Sequence, residues 1–134
     1  MPVYLKLLIA SAVLNFAMIL VSAVLSARLY TPAGFLWASG NRERPLADDA
    51  PPPVAGRADR AAKNMSENMV LFTPVLLAAH AGGADPATLT LGAQIFFGAR
   101  VLYWPTYLVG VPFLRTALWG VSLVGVFMIA ATAL

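Results

Sequence analysis

Cysteine is absent from this chain of 134 residues, and histidine occurs once. Without cysteine the protein can form no disulfide, no cysteine thiolate nucleophile and no cysteine-based metal site. The single histidine, His80, has no second histidine or carboxylate at ligand spacing along the chain. We therefore predict no metal site, and we interpret His80 as a residue of the membrane–water interface.

Charge is also scarce in this sequence. Only 11% of the residues are charged, whereas soluble domains carry about 25%. The formal net charge of +3 does not indicate a nucleic-acid partner, because no basic stretch is interleaved with aromatic residues. The composition instead predicts a membrane protein with one basic side and with the lipid bilayer as a partner.

Four apolar stretches are each long enough to supply the roughly 20 helical residues that cross a bilayer. We predict membrane helices at about 3–28, 58–81, 86–108 and 112–133. The second stretch reaches this length only if the polar residues from position 58 onward belong to the same helix. The predicted fold is an all-α integral membrane protein, with a four-transmembrane-helix bundle as the single domain over residues 1–134.

Basic residues occupy the ends of the first and third connections between these helices. Lys6 is the exception, and the second connection, at 80–88, contains no lysine or arginine. Because short cytoplasmic loops are enriched in both residues, we predict that the first and third loops are cytoplasmic. The first loop, at about 30–57, contains the proline run 51–53. We interpret it as an extended, solvated connector, with a cover over a functional site as the alternative.

A polar stripe precedes the apolar part of the second helix. At about 100° per residue, its members fall on one face of a helix. They are Arg57, Arg60, Asn64, Glu67 and Asn68. Carboxylates and amides within the hydrocarbon region are costly and usually serve a function. Both signs of charge and two amides would suffice to hold a small zwitterionic ligand.

The third helix ends in a second polar group. Arg100, Tyr103 and Tyr107 share a face at i, i+3 and i+7, and Arg115 follows near the start of the fourth helix. The tyrosines could equally form only an interfacial aromatic belt, and Arg115 could be an anchor that reaches the lipid headgroups. Convergence of several arginines on one side favours a site. Asn15, in the first helix, is a candidate for a hydrogen bond between helices or subunits.

The start of the second helix resembles the Arg-x-x-x-Asn-x-x-Glu motif of the MAPEG superfamily, through Arg60, Asn64 and Glu67. These are the membrane-associated proteins in eicosanoid and glutathione metabolism. The block from Ala99 to Tyr107, followed by Pro112 to Arg115, is similar to the family's third-helix end and fourth-helix start. The resemblance covers the whole chain and looks like the bacterial branch, which implies a bacterial inner membrane.

This resemblance implies a homotrimer that binds glutathione, as co-substrate, between neighbouring subunits near the cytoplasmic side. Arginines would hold the glutathione carboxylates, Glu67 its amino group, and Arg115 would stabilise the thiolate as the catalytic residue. Together with the residues of the two polar groups, the expected glutathione site comprises Arg57, Arg60, Asn64, Glu67, Arg100, Tyr103 and Tyr107. The sequence departs from the eicosanoid synthases at Asn68, where those often carry tyrosine.

The function expected from this resemblance is that of a glutathione transferase or peroxidase acting on a hydrophobic electrophile or hydroperoxide dissolved in the bilayer. A non-catalytic scaffold of the same family, binding lipid or glutathione, is one alternative. A small four-helix exporter working as a proton-coupled dimer is another. Such an exporter needs an isolated carboxylate in the membrane, whereas the positive charges of Arg60 and Lys63 would keep Glu67, the candidate, ionised.

Overall fold

The computed structural model describes residues 1–42 and 52–133, and this part of the chain consists of α-helices and turns, with no strand. It contains five helices. These are α1 (Val3–Ser26), α2 (Pro32–Ser39), α3 (Pro53–Ala81), α4 (Pro86–Val109) and α5 (Pro112–Ala131). The long helices α1, α3, α4 and α5 correspond to the four expected from the sequence. Two of them, α1 and α5, are long and apolar enough to cross a membrane by length and composition alone.

The connection expected at about 30–57 contains more helical residues than its sequence predicted. It contains the whole of α2 and the first turn of α3. Pro53 begins α3, and Pro32 occupies the equivalent first position of α2. Proline fits there because the first helical N–H groups have no intrahelical acceptor and because its fixed φ is already helical. The extended interpretation of the proline run is therefore wrong for Pro53, and Pro51 lies outside the described residues.

A close helix crossing joins α4 to α5 through two glycines. A Cβ placed on Gly92 would lie 2.8 Å from the carbonyl oxygen of Gly125, and one on Gly125 would lie 2.5 Å from that of Gly92. Small residues at such crossings let membrane helices approach through their backbones. This contact packs α5, whose first turn carries Arg115, against α4, whose later turns carry the tyrosines.

Helix α1 packs on α3 through polar contacts at three levels, one of which joins Ser22 to Asp59. Ser66 donates a hydrogen bond to Oδ1 of Asn15 at 3.0 Å, as the sequence led us to expect of this asparagine. Near the other end, Tyr4 Oη lies 2.9 Å from Nδ1 of His80. Much of the core is apolar, and Phe72 and Phe96 stack between α3 and α4 with their ring centroids 3.9 Å apart.

The turn between α3 and α4 caps the end of one helix and the start of the next. Gly83 adopts a positive φ of 75°, and the side chain of Asp85 accepts hydrogen bonds from Thr88 N at 2.9 Å and Thr88 Oγ1 at 2.8 Å. These bonds stabilise the carboxylate and lower the pKa of Asp85 below its ordinary value. The short turn makes α3 and α4 antiparallel neighbours.

Candidate functional site

The polar stripe of α3 has an inner, more buried edge and an outer, exposed edge in the folded protein. Asn68 is buried, and Arg57 and Asn64 are half-buried, whereas Arg60 and Glu67 are exposed. The five positions share one helical face, but α4 covers only the edge that holds Arg57, Asn64 and Asn68. The inner edge can therefore build a site within one protomer, and the outer edge is open to a partner molecule.

Arg100 on α4 lies directly behind the inner edge and is 0% exposed. Its Nη1 donates a hydrogen bond to Oδ1 of Asn64 at 2.7 Å. Its Cζ lies 5.1 Å from the centroid of the Tyr103 ring and 5.6 Å from that of Phe96, a geometry that stabilises a cation through the ring quadrupole. Within residues 1–42 and 52–133, its Nε and Nη2 have no hydrogen-bond partner.

Asn64 also accepts a hydrogen bond at its backbone oxygen, from the side chain of Asn68. The side-chain Nδ2 of Asn68 donates to the backbone oxygen of Asn64 at 2.8 Å. Since Oδ1 of Asn64 accepts from Arg100, its Nδ2 group is left to donate elsewhere. Asn64 also lines a cavity, so this amide can donate to an oxygen atom of a ligand bound there.

The cavity has a volume of about 190 Å³ and lies where α3, α4 and α5 meet. Its lining residues are Asn64, Tyr103, Tyr107, Arg115, Thr116 and Trp119. The Cζ of Arg115 lies 4.8 Å from the centroid of the Tyr107 ring, and the rings of Tyr103 and Tyr107 are tilted at 5.3 Å. The wall thus combines one guanidinium, one amide and two phenol groups.

Arg57 lies beside this cavity but bonds to the backbone. Its Nε donates to the carbonyl oxygen of Leu108 at 2.8 Å, in the last turn of α4. Its side chain also passes close to Gly110, where a Cβ would lie 3.6 Å from Arg57 Cδ. Arg57 therefore ties the first turn of α3 to the last turn of α4, and this contact holds the connection that leads to Arg115.

A comparison with known proteins decides the family to which this arrangement belongs. The family model described as "MAPEG family" matches residues 7–134, nearly the whole chain. The chain belongs to the MAPEG family. MAPEG proteins are membrane proteins with functions related to glutathione or eicosanoids, and they include glutathione transferases. A search of curated proteins found no match.

The membership confirms the resemblance found in the sequence and the all-helical, membrane-bound fold class. Of the site residues expected in this MAPEG protein, Asn64, Tyr103, Tyr107 and Arg115 meet at the cavity. Arg100 does not line the cavity but donates a hydrogen bond to Asn64. The other three expected residues lie outside the lining of this cavity; they are Arg57, Arg60 and Glu67.

Two lining residues were missed from the sequence. Thr116 and Trp119 follow Arg115 on α5. The spacing of Trp119 from Arg115, one helical turn, was the available signal, because residues four apart share a helix face. Thr116 is adjacent to Arg115 in the chain, and no pattern in the sequence distinguished it.

A larger groove of this MAPEG protein was also missed. It has a volume of about 410 Å³ and lies between α1 and α3. Its lining residues are Ile19, Ser22, Ala23, Ser26, Asp59, Ala62, Lys63 and Ser66. Ser22 Oγ lies 3.5 Å from Oδ1 of Asp59. On α3 this groove lies on the side opposite Asn64, and the exposed residues Arg60 and Glu67 lie between the two.

No cluster of three or more potential metal ligands from histidine and acidic residues occurs within residues 1–42 and 52–133. The absence of a metal cofactor stays a prediction from the sequence. The groups that the cavity does present are hydrogen-bond donors and one fixed cation. Such groups fit the carboxylates, the amides and the thiolate of glutathione, the tripeptide with which the family is associated.

Proposed function

We propose that this MAPEG protein is a membrane-bound glutathione transferase or glutathione peroxidase. Its lipophilic electrophile or hydroperoxide would enter the site from the bilayer. The observation that carries this proposal is the position of Arg115, whose guanidinium forms part of the cavity wall and lies against Tyr107 at 4.8 Å. A fixed cation next to a cavity of this size can stabilise a thiolate ligand.

The chemistry follows from the acidity of the glutathione thiol. A free thiol has a pKa of about 8.5 and is mostly protonated at neutral pH, whereas the thiolate is the nucleophile. The positive charge of Arg115 favours the thiolate and the proton leaves to solvent. In the transferase reaction, the sulfur electron pair forms a bond to the electrophilic carbon. Either a leaving group departs with its bonding electrons, or the π electrons of a conjugated double bond shift away from that carbon and the resulting carbanion takes a proton from water.

In the peroxidase reaction the thiolate attacks the terminal oxygen of a hydroperoxide. The O–O bond breaks, the alkoxide takes a proton to become an alcohol, and the sulfur is oxidised to a sulfenic acid. A second glutathione then forms the disulfide and releases water. Both reactions need the same activated thiolate, so Arg115 would serve either one.

The exposed edge of α3 supports the expected homotrimer. Arg60 and Glu67 point away from the cavity of their own protomer, although the family motif makes them glutathione contacts. A cyclic assembly joins two different surfaces of each copy. If three α3 helices surround a central axis, the cavity side of one copy faces the groove side of the next, with Arg60 and Glu67 at the junction.

In this trimer a glutathione molecule would lie between neighbouring copies. Arg60 would hold a carboxylate through paired hydrogen bonds, and Glu67 would hold the ammonium group. The proposal also takes all four long helices as membrane-spanning. It places the first and third connections in the cytoplasm of a bacterium whose inner membrane holds the protein, in line with the distribution of basic residues.

The test is a glutathione titration of the purified protein in lipid nanodiscs, followed by the ultraviolet absorbance of the thiolate. The wild type should give a saturable thiolate signal at neutral pH, Arg115→Ala should lose it, and Arg42→Ala, an exposed arginine outside the cavity, should retain it. A full signal in Arg115→Ala would overturn the role of Arg115.

Two other outcomes distinguish the alternatives. Saturable glutathione binding without a thiolate signal in the wild type would support a scaffold that binds the tripeptide without activating it. The absence of any glutathione binding would refute the transferase and peroxidase proposals together. It would then favour the exporter or a lipid-binding scaffold, which mass measurement in nanodiscs separates, since the exporter would be a dimer and the scaffold a trimer.

A further inference from the structure

The short helix α2 exposes an apolar surface that no residue of the described chain covers. Tyr30, Phe35 and Leu36 are 63%, 60% and 71% exposed. The opposite side of α2 is packed, with Gly34 buried and Trp37 half-buried. We refer to the exposed set of Phe35 and Leu36, together with Tyr30 in the turn that precedes the helix, as the α2 apolar face.

The end of α1 holds α2 in a defined position. Thr31 caps α2 by accepting a hydrogen bond from Gly34 N at 3.1 Å, and its own hydroxyl donates to the carbonyl oxygen of Arg28 at 2.9 Å. Gly34 lies so close to the carbonyl oxygens of Ala27 and Arg28 that a Cβ there would overlap both. This close packing means that α2 crosses the end of α1 and does not extend freely from it.

The length of α1 sets the depth at which α2 lies. Helix α1 has 24 residues and is apolar enough to span a membrane, and at 1.5 Å per residue its length exceeds the roughly 30 Å of a bilayer core. Its last residue, Ser26, therefore lies near one surface of that core. Because α2 packs on the turn directly after Ser26, it is close enough to this surface for its apolar face to reach the lipid headgroups.

The arginines around α2 are typical of a helix that lies at the level of the lipid headgroups. Arg28 precedes the helix and Arg42 follows it. The guanidinium of Arg42 lies 5.6 Å from the centroid of the Trp37 ring, and its Nη2 donates to the carbonyl oxygen of Ala38 at 3.2 Å. Arginine and tryptophan are typical of the interface, where apolar parts of side chains meet acyl chains and cations meet phosphates.

We propose that α2 is an interfacial helix that binds the surface of the bilayer. Its apolar face would be buried at the boundary between headgroups and acyl chains, and the flanking arginines would favour anionic phospholipids. The partner is therefore a lipid surface, and its binding would fix the first connection of the protein against the membrane. This proposal is independent of glutathione and of any catalytic activity.

The absence of cysteine allows a direct test by site-directed spin labelling. A single cysteine would replace Leu36, and the labelled full-length protein would be placed in nanodiscs of neutral lipid with or without phosphatidylglycerol. Collisions with oxygen report contact with hydrocarbon, and collisions with a water-soluble nickel chelate report contact with water. Val13→Cys, on the exposed side of α1, and Ala87→Cys, in the exposed first turn of α4, are the reference positions.

The proposal expects an oxygen-to-nickel ratio at position 36 above that at position 87 and approaching that at position 13. Phosphatidylglycerol should raise the ratio further, and Arg42→Ser should reduce that rise. A label that collides mainly with nickel would place α2 in water and overturn the proposal. A label shielded from both reagents, with dipolar broadening between labels, would assign the face to a second copy of the chain and would overturn it as well.

If Leu36→Cys fails to fold, Phe35→Cys on the same face gives the same readout. Failure of the glutathione titration would leave these accessibility results unchanged, since the label reports only the surroundings of α2. A water-exposed label would in turn leave the proposed role of Arg115 intact. Each of the two proposals can therefore be rejected without affecting the other.

Discussion

The guanidinium of Arg100 donates a hydrogen bond from Nη1 to Oδ1 of Asn64 at 2.7 Å, and Arg100 itself is fully buried. The bond joins α3 to α4 and turns the amide nitrogen of Asn64 away from Arg100. A buried cation needs such a partner, because a charge that leaves water without compensation is strongly disfavoured. The family motif asparagine is thus positioned by an arginine from another helix.

Asn64→Ala should lower both stability and glutathione affinity. It removes a hydrogen bond to a charged group, which is worth about 1.5–3 kcal/mol, and it removes the donor that faces the cavity. Asn64→Asp should separate the two effects, because a carboxylate still accepts from Arg100 but cannot donate to the ligand. We expect Asn64→Asp to unfold at or above the wild-type temperature while binding glutathione more weakly.

Thermal unfolding and calorimetric titration in the same detergent would measure these effects. Asn15→Ala is the matched control, since it removes an amide that bonds to Ser66 on the α1–α3 contact and should lower stability without changing glutathione affinity. Wild-type affinity in Asn64→Asp would show that the amide nitrogen does not contact the ligand.

The close contact between Gly92 and Gly125 predicts that glycine-to-alanine substitutions change the stability of the protein differently at different positions. Gly92→Ala and Gly125→Ala should each destabilise the protein by about 1–3 kcal/mol, because the new methyl group would overlap the backbone of the facing helix. Gly98→Ala and Gly120→Ala are the controls, as a Cβ at either position meets nothing within 4 Å among the described residues. They should unfold at or slightly above the wild-type temperature, because alanine favours helix over glycine. Equal losses at all four positions would contradict the assigned crossing.

Arg57 has a structural role that its place in the polar stripe does not reveal. Arg57→Ala removes the bond from Nε to Leu108 O and should destabilise the α3–α4 junction by about 1.5 kcal/mol. Amide hydrogen exchange should therefore become faster in the last turn of α4 and at Gly110. Arg60→Ala, which removes an exposed arginine one helical turn later, should leave this exchange unchanged. Unchanged exchange in Arg57→Ala would show that the bond does not hold the junction together.

Some of these features follow from local sequence and others do not. Helical spacing predicts that Asn64 and Glu67 share a face, but only the buried Arg100, 36 positions after Asn64, determines which edge of that face turns inward. The long helices follow from apolar length, and the cap at Asp85 follows from the Asp-Pro pair. The same rule, applied to Thr31 and Pro32, predicts the start of α2, but an eight-residue helix lacks the apolar length that revealed the others. Packing between distant segments therefore accounts for most of what the sequence did not predict.

Tyr107 should act on catalysis through the position of Arg115. The contact between the guanidinium and the ring, at 4.8 Å, is worth about 0.5–2 kcal/mol, which corresponds to about a two- to thirtyfold difference in population. Tyr107→Phe keeps the ring and should retain most of the thiolate signal, whereas Tyr107→Ala should reduce it within that range. The fraction of bound glutathione present as thiolate, measured at saturating glutathione, separates this effect from weaker binding. If Phe and Ala reduce the fraction equally, the hydroxyl group and not the ring is responsible. In that case Tyr107 would contact the sulfur directly, as a hydrogen-bond donor to the thiolate.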